Sequence, residues 1–373
     1  MLLSLEPMAK DFSWKPSLEA LPVRFLIERE NLYLLFPCLK KRQVYLLKEF
    51  EMKRFDYLIP KTMDELFSLL SQYGEKAVVI AGGTDVMVMI KKNEISPDIL
   101  ISLNGIQGLD EIKFNGALKI GPLVTHRMIE KSNLIRKQFS ALSDAVDVLG
   151  SIQIRNVGTI AGNICNAAPS CDTAPPLLVL DAQLKLKSLK SERIIPIHQF
   201  FTGPGETVLQ RGEILTEIYI PKPLPNTGSS YWKHQRRQAL DLPIVGIAVL
   251  ISLNRSTISS PEILSPEKNI STILQHLEKE DLICKEFRIA LGVAAPTPIR
   301  MFRAEELIRG QKLSKVLIEE VSQIAMKESQ PRDTMRGEAW YRREMIGVYV
   351  KRMAMRCIER ILRPEEVPPI RQW

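Results

Sequence analysis

Two glycine-centred segments constrain the fold and chemistry of this 373-residue chain more than any other feature. The first covers residues 81–85 (Ala-Gly-Gly-Thr-Asp) and the second covers residues 159–163 (Thr-Ile-Ala-Gly-Asn). Glycine lets the backbone approach a ligand where a Cβ would clash, and successive backbone N–H groups can then face an anion. The two segments therefore predict a diphosphate held by backbone amides from two loops. Polar side chains that would complete this site are Thr84, Asp85, Thr159, Asn163, Asn166 and Asp172.

The two commonest phosphate-binding motifs are missing from the sequence. A Walker-type loop needs Gly-Lys followed by Ser or Thr at the start of a helix, and a Rossmann dinucleotide site needs G-x-G-x-x-G between a strand and a helix. Neither pattern occurs in this chain. A Gly-Gly pair alone is more typical of a tight turn, so the prediction depends on the second segment.

The pattern of caps and apolar runs predicts an α+β chain. Thr62 and Glu65 form a capping box at the start of a helix that ends at Gly74, and apolar runs over 77–81 and 99–103 predict buried strands. Pro, Gly, Asn and Ser make residues 221–230 the best candidate for a linker. The other expected elements are helices after Thr125 and over 138–149, 176–180, 305–309, 315–328 and 338–362, and strands over 118–120, 183–187, 193–196, 213–221, 243–253 and 287–294.

Composition narrows the class of protein. The net charge is +8, but the basic residues form no block, which argues against nucleic-acid binding. An ordinary basic surface and a docking face for an acidic partner remain the alternatives. No apolar run is as long as a membrane span, which needs about 20 residues. The five cysteines are scattered and odd in number, a pattern that suits the reducing cytosol. We therefore expect a cytoplasmic protein without a membrane span.

Residues 1–51 do not show the pattern of a domain, because leucine-rich patches alternate with prolines and no period is sustained. From Met52 the sequence changes to a compact strand-and-turn pattern. Two interpretations of residues 1–51 stay open: an upstream segment that is not translated, with Met52 as the true start, or a genuine extension that is variable or disordered. A mature N-terminus upstream of Met52, found by mass spectrometry, would rule out the first.

Both glycine segments carry a family resemblance. Residues 78–85 (Val-Val-Ile-Ala-Gly-Gly-Thr-Asp) and 153–164 (Gln-Ile-Arg-Asn-Val-Gly-Thr-Ile-Ala-Gly-Asn-Ile) resemble the FAD-binding subunit of the molybdenum hydroxylases. This family includes the medium subunit of carbon monoxide dehydrogenase and the flavin domain of xanthine dehydrogenase. Residues 292–300 (Gly-Val-Ala-Ala-Pro-Thr-Pro-Ile-Arg) and 336–343 (Arg-Gly-Glu-Ala-Trp-Tyr-Arg-Arg) are similar to the family as well.

The resemblance covers residues 52–362 and implies a fold. It implies a PCMH-type FAD-binding domain with two subdomains over 52–225. A smaller α/β domain, an antiparallel sheet with helices like that of the carbon monoxide dehydrogenase flavoprotein, would follow over 228–362. Residues 363–373 would form a tail.

The resemblance also implies roles for single residues. A first pyrophosphate loop would comprise Val79, Ile80, Ala81, Gly82, Gly83, Thr84, Asp85 and Val86, acting chiefly through the amides of its glycines. A second would comprise Thr159, Ile160, Gly162 and Asn163, with Ile164, Cys165 and Asn166 running under the isoalloxazine. Asp172 would meet the adenosine side of FAD, Leu215 would pack on the flavin or adenine, and Lys233 would lie near the pyrimidine edge of the flavin.

Some of these residues have simpler interpretations. Asp172 could cap the helix that follows it, and Lys233 could be an ordinary surface lysine. Cys165 and Cys171 have no further Cys or His at metal-ligand spacing, so no metal site is expected. Ala161 stands where the family usually has glycine, and its methyl group is tolerable only if its φ is negative.

The implied function is electron transfer within a complex. FAD held by this chain would take electrons from a small [2Fe–2S] subunit, which receives them from a large molybdopterin subunit, and would pass them to NAD⁺ or another acceptor. The expected assembly is a dimer of heterotrimers. This chain would need no acid, base or nucleophile of its own. A stand-alone flavin oxidoreductase and a non-redox FAD-binding assembly subunit are the alternatives.

Overall fold

The computed structural model describes residues 52–254 and 282–364. The N-terminal extension, residues 255–281 and most of the expected tail therefore lie outside the described residues. The described chain folds as an α+β protein, as predicted, in three lobes that follow one another along the sequence.

The first lobe is a parallel sheet with the strand order β1-β3-β2. A capping box starts its first helix, as predicted: Thr62 Oγ1 accepts from the Glu65 N–H at 3.1 Å, and Glu65 Oε2 accepts from the Lys61 N–H at 2.7 Å. Leu66 and Phe67 of this helix are buried against the sheet. The elements of this lobe are β1 Asp56–Leu58, α1 Met63–Tyr73, β2 Ala77–Ile80, α2 Val86–Lys91 and β3 Ile99–Ser102.

The second lobe is an antiparallel sheet with the strand order β4-β5-β10-β6-β7, covered by short helices. Apolar residues alternate along β6 and β10, because one face of each strand is buried. The elements are β4 Ile112–Phe114, β5 Ala117–Ile120, α3 His126–Lys131, α4 Asn133–Gln138, α5 Ser140–Asp147, α6 Ile152–Val157, α7 Ile160–Cys165, α8 Ala174–Val179, β6 Gln183–Lys187, β7 Glu192–Pro196, the small pair β8 Phe201–Gly203 and β9 Glu206–Thr207, and β10 Ile214–Pro221.

The third lobe is an antiparallel sheet with the strand order β11-β12-β13-β14, packed against helices. Its last helix buries the stripe Ile346, Val350, Met353, Cys357 and Ile361 in the core, as its periodicity predicts. The elements are β11 Thr227–His234, β12 Val245–Asn254, β13 Ile283–Gly292, β14 Ile299–Arg300, α9 Phe302–Ile308, α10 Lys315–Glu328 and α11 Ala339–Leu362.

A buried carboxylate joins the second and third lobes. Asp144 of α5 accepts from both terminal nitrogens of Arg360 at 2.7 and 2.8 Å and from the Tyr231 backbone N–H at 3.1 Å. Ser140 Oγ donates to the Ser229 carbonyl at 2.6 Å beside it. These bonds attach β11 to helix α5, so the position of β11 relative to the second lobe is fixed.

Two expectations from the sequence are wrong. The predicted linker over 221–230 is shorter, because Thr227–His234 pairs with β12 as a full strand. The second glycine segment is the start of helix α7, whose N-cap is Thr159, rather than an open loop. Ala161 is therefore helical, with a negative φ, and its methyl group needs no special geometry.

Candidate functional site

The first glycine segment lies against residues 157–158, which lead directly into the second. Strand β2 delivers the chain into Gly82, and a Cβ built on this residue would lie 1.9 Å from the Val157 carbonyl oxygen. Gly83 has φ +71°, a backbone conformation that L side chains rarely adopt. Both glycines are therefore required by the backbone, one because of close approach and the other because of its dihedral angle.

A cavity of about 760 Å³ opens where the two segments meet. This volume lies within the range of pockets that enclose a sizeable organic ligand. Most of the residues expected at the site line it: Val79, Ala81, Gly82, Gly83, Thr84, Asp85, Val86, Thr159, Gly162, Asn163, Cys165, Asn166, Asp172, Leu215 and Lys233. Ile80, Ile160 and Ile164 instead have buried side chains in the hydrophobic core and do not line the cavity.

The backbone donors of the two segments differ. In the first segment, the N–H groups of residues 82–85 have no hydrogen-bond acceptor among the described residues. In the second, the Gly162 N–H donates to Thr159 Oγ1 at 3.1 Å, and the Asn163 and Ile160 N–H groups donate to carbonyls at 3.0 Å. The expectation that both segments offer bare amides is therefore wrong for Ile160, Gly162 and Asn163. Thr159 at the start of helix α7 accepts from Gly162 and Asn163, and the Val124 carbonyl accepts from Ile160.

Asn163 and Asn166 present side chains to the cavity in defined orientations. Asn163 Oδ1 accepts from Thr173 Oγ1 at 2.7 Å and from Cys171 Sγ at 3.0 Å, which leaves the Nδ2 donors on the other side of its amide group. Asn166 Nδ2, at the end of helix α7, donates to Asp85 Oδ1 at 3.1 Å and so ties the first segment to this helix. Burial raises the pKa of Asp85 above its ordinary value.

A buried ion pair lies elsewhere in the cavity wall. Lys233 Nζ donates to Asp172 Oδ2 at 2.7 Å, and the Tyr231 hydroxyl donates to Asp172 Oδ1 at 2.8 Å. All three residues are at least nine-tenths buried. Lys233 is therefore not a surface lysine, and Asp172 does not cap helix α8, whose N-cap is Thr173.

The ion pair bears on two of the expected roles toward FAD. Asp172 and Lys233 were expected at the adenosine side and at the pyrimidine edge of the cofactor. An extended dinucleotide keeps these two parts far apart, whereas the two side chains are in hydrogen-bond contact. The structure thus brings together two side chains that were expected at different parts of the cofactor.

The two cysteines at the site are protonated thiols. Burial raises the pKa of Cys165 to about 12 and that of Cys171 to about 11. Among the described residues, no group of three or more His, Cys, Asp or Glu side chains is placed to hold a metal ion.

Sequence reasoning missed several residues of the cavity wall. His126 at the start of α3 is 2% exposed, and Glu213 is bound by Arg193 at 2.8 and 2.9 Å. Leu240, Asp241 and Leu242 follow β11 and also line the cavity. Their sequence positions gave no signal, because only the packing of three lobes brings them to one place.

The residues of the cavity fit FAD. The four adjacent amides of residues 82–85, which have no acceptor in the described part of the chain, suit an anionic group that approaches closely. The apolar side chains of Val79, Leu103 and Leu215 suit aromatic rings. A buried lysine with a fixed carboxylate partner suits a polar ring edge.

Comparisons with known proteins agree with this fit. A family model described as the FAD binding domain in molybdopterin dehydrogenase matches residues 52–223, and one described as the CO dehydrogenase flavoprotein C-terminal domain matches residues 269–357. The fold and the site thus define an oxidoreductase subunit with an FAD-binding domain.

Named relatives place the chain in a family. The nicotinate dehydrogenase FAD-subunit of Eubacterium barkeri is 33% identical over 208 residues, which make up 54% of this chain and 70% of that protein. The xanthine dehydrogenase FAD-binding subunit of Escherichia coli O157:H7 is 29% identical over 300 residues, 80% of this chain and 94% of that protein. The chain belongs to the FAD-binding subunits of the molybdenum hydroxylase family.

A solved structure supports the same assignment. Carbon monoxide dehydrogenase from Hydrogenophaga pseudoflava, in a form that lacks the Mo-pyranopterin moiety, superposes with a TM-score of 0.72 at 27% identity, covering 83% of this chain and 99% of that chain. No helix in residues 52–254 or 282–364 is long and apolar enough to cross a membrane.

Proposed function

We propose that this chain carries FAD in a molybdenum hydroxylase complex, receives electrons from a [2Fe–2S] subunit and passes them to NAD⁺ or another acceptor. The observation that supports this proposal is one cavity lined by both glycine segments and by the Lys233–Asp172 pair. Relatives named as a dehydrogenase medium chain and as a dehydrogenase complex subunit support the presence of partner subunits. The partners in this proposal are a large molybdopterin subunit and the small [2Fe–2S] subunit, assembled as a dimer of heterotrimers.

The first segment would hold the pyrophosphate. The N–H groups of residues 82–85 lie next to one another without another acceptor in the described chain, so a phosphate oxygen would satisfy several at once. Asn163 Nδ2 would add donors from the facing segment, because its Oδ1 is already held. Asp85 would instead accept from hydroxyl groups of the ligand, since a carboxylate next to a phosphate is unfavourable.

The Lys233–Asp172 pair would contact the polar edge of the flavin. When bound, a flavin accepts electrons singly and releases them singly or as a hydride. Lys233 would place a positive charge where negative charge develops during this exchange. Asp172 and Tyr231 would hold the ammonium group in position, and the carboxylate would also moderate its charge.

An apolar rim beside the cavity supports the docking of a partner subunit. This rim consists of exposed side chains on helix α6 and after strand β11: Ile152, Ile154, Val157, Leu240 and Leu242, which are 38–60% exposed. Ile154, Leu240 and Leu242 also line the cavity, so a subunit bound here would lie next to the cofactor. Exposed apolar clusters of this kind mark interaction sites.

Anaerobic electron transfer tests the proposal. The FAD-loaded chain is mixed with the reduced [2Fe–2S] subunit, and we expect the flavin absorption to bleach and to return when NAD⁺ or the true acceptor is added. No bleaching would contradict the proposal and favour a non-redox assembly subunit. Bleaching by an organic substrate with no partner present would favour a stand-alone oxidoreductase.

A pair of variants tests the docking site. Val157→Asp places a charge in the apolar rim, and we expect loss of [2Fe–2S] subunit binding in pull-down with normal FAD content. Val316→Asp is the matched control, because Val316 is 67% exposed on α10 and does not line the cavity. Equal binding by both variants and the wild type would contradict docking at the rim.

A further inference from the structure

His126 is a buried polar side chain in the cavity wall, and it has no part in the function proposed above. The residue is 2% exposed and lines the cavity between the two glycine segments. Its Nδ1 atom is buried and has no hydrogen-bond partner among the described residues. Buried polar atoms are nearly always paired in folded proteins, so this nitrogen indicates a partner that the protein itself does not supply.

The backbone fixes this ring at the junction of the two segments. The His126 N–H donates to the Gly158 carbonyl at 3.0 Å, and Thr125 forms a β-bridge with Thr159. A Cβ built on Gly158 would lie 3.3 Å from His126 Cδ2 and 3.5 Å from Thr84 Oγ1. Rotation of the imidazole by half a turn exchanges Nδ1 with Cδ2, which brings this nitrogen to the junction.

In the cofactor-free chain the imidazole is neutral at neutral pH. Burial, and secondly the positive charge of Arg155, lower the pKa of His126 to about 4. Arg155 is itself held by Glu130 Oε2 at 2.8 Å and by the Leu149 carbonyl at 2.8 Å, so it is committed to the protein. A neutral imidazole offers one N–H donor and one acceptor.

The neighbouring groups select the ligand atom. The backbone N–H groups of residues 82–85, which have no acceptor among the described residues, are all donors. A further donor from the His126 ring at the same junction fits the oxygen of an anion rather than a hydroxyl or an aromatic ring. We propose that His126 binds a phosphate oxygen of FAD as an N–H donor between the two glycine segments. This inference rests on the proposed function, since it assigns a further residue to the same cofactor.

The test compares three ligands on the full chain stripped of cofactor. FAD and ADP carry the diphosphate, whereas riboflavin carries only the ring and its ribityl chain. His126→Phe keeps the bulk of the ring but removes both nitrogens, and His126→Asn keeps a donor near the position of Nδ1. Dissociation constants are measured by flavin fluorescence for FAD and riboflavin and by calorimetry for ADP.

We expect His126→Phe to weaken FAD and ADP binding about 10-fold, the usual effect of one lost hydrogen bond to a charged group, with riboflavin unchanged. His126→Asn should stay closer to the wild type. Equal FAD affinity in His126→Phe and the wild type would overturn the inference. Equal weakening of riboflavin and FAD would overturn it too, because the contact would then not be to phosphate.

Nitrogen NMR on the wild type gives a second readout that does not depend on a variant's stability. The chain has four histidines, so selective ¹⁵N labelling gives a simple spectrum, and the His126→Asn variant identifies the His126 signals. ADP should shift them and riboflavin should not. Unshifted signals in the presence of saturating ADP would overturn the inference. A wild-type chain that binds neither FAD nor ADP would overturn the proposed function as well.

Discussion

Gly82→Ala perturbs the contact on which the cavity depends. The added methyl carbon would lie 1.9 Å from the Val157 carbonyl oxygen, 2.7 Å from its carbon and 3.0 Å from Gly158 Cα. All three are backbone atoms, so the two glycine segments must separate by about 1 Å. Overpacking of this kind costs about 1–3 kcal/mol of stability. We also expect the amides of residues 82–85 to lose alignment with the ligand, and two lost hydrogen bonds weaken FAD binding about 10- to 100-fold.

Gly228→Ala is the matched control for this substitution. Its added methyl carbon would lie 2.1 Å from the Cys357 carbonyl oxygen, so the overlap is similar, but Gly228 does not line the cavity. Urea unfolding of the cofactor-free chains and titration with FAD are measured for both variants. We expect both to lose stability and only Gly82→Ala to lose FAD affinity.

Two results would refute this reasoning. Wild-type FAD affinity in Gly82→Ala would mean that the spacing of the two segments does not control binding. An equal loss of FAD affinity in Gly228→Ala would mean that affinity follows global stability instead of the local geometry of the site.

Three further predictions concern buried charges. Asp144→Ala removes the acceptor of Arg360 and should lower the free energy of unfolding by about 3–5 kcal/mol, measured by urea denaturation, because it leaves a buried cation unpaired; a loss near zero would contradict it. Asp172→Asn should raise the flavin midpoint potential, because it removes the carboxylate that offsets the charge of Lys233, and Lys233→Met should lower this potential, because it removes the positive charge. Both potentials are measured by spectroelectrochemistry, and shifts of the opposite sign would contradict the prediction. In the folded chain the pKa of His126 is about 4, below its ordinary value of 6.5. Between pH 6.5 and pH 4 the imidazole is therefore protonated in the unfolded state and neutral in the folded state, so the free energy of unfolding falls as the pH falls. Between pH 7 and pH 5, the free energy of unfolding of the wild type should fall by about 2 kcal/mol more than that of His126→Phe. Parallel curves of unfolding free energy against pH for the two proteins would contradict this prediction.

Local signals allowed correct prediction of several elements. The Thr62–Glu65 capping box, the helix over 315–328 and the apolar stripe of helix α11 depend on neighbouring residues alone, and all are present. The strand that leads into the first glycine segment was also predictable, because residues 77–80 form a short apolar run. These features need no knowledge of distant parts of the chain.

The elements that the sequence did not predict correctly depend on contacts between distant parts of the chain. Residues 227–230 (Thr-Gly-Ser-Ser) have the composition of a turn, but pairing with β12 and the bonds of Ser229 and Ser230 to α5 make them a strand. Helix α7 contains Gly162, which disfavours a helix, yet Thr159 caps it and the core holds Ile160 and Ile164.

The chemistry of the site was predictable in part. The segments that line the cavity carry motifs, so most of their residues could be named from sequence. The contact between Lys233 and Asp172 joins side chains 61 residues apart, and no local pattern reports such a distance. His126 was missed for the same reason, because its surroundings come from helix α6 and from both glycine segments.

The flavin content of the purified full chain, produced with and without its partner subunits, is the most direct measurement. Acid release followed by chromatography identifies the nucleotide and its ratio to protein. We predict FAD at one molecule per chain in the wild type and a clear deficit in Gly82→Ala. A colourless wild-type chain, or one that carries FMN in place of FAD, would contradict a pocket built to hold a diphosphate between the two glycine segments.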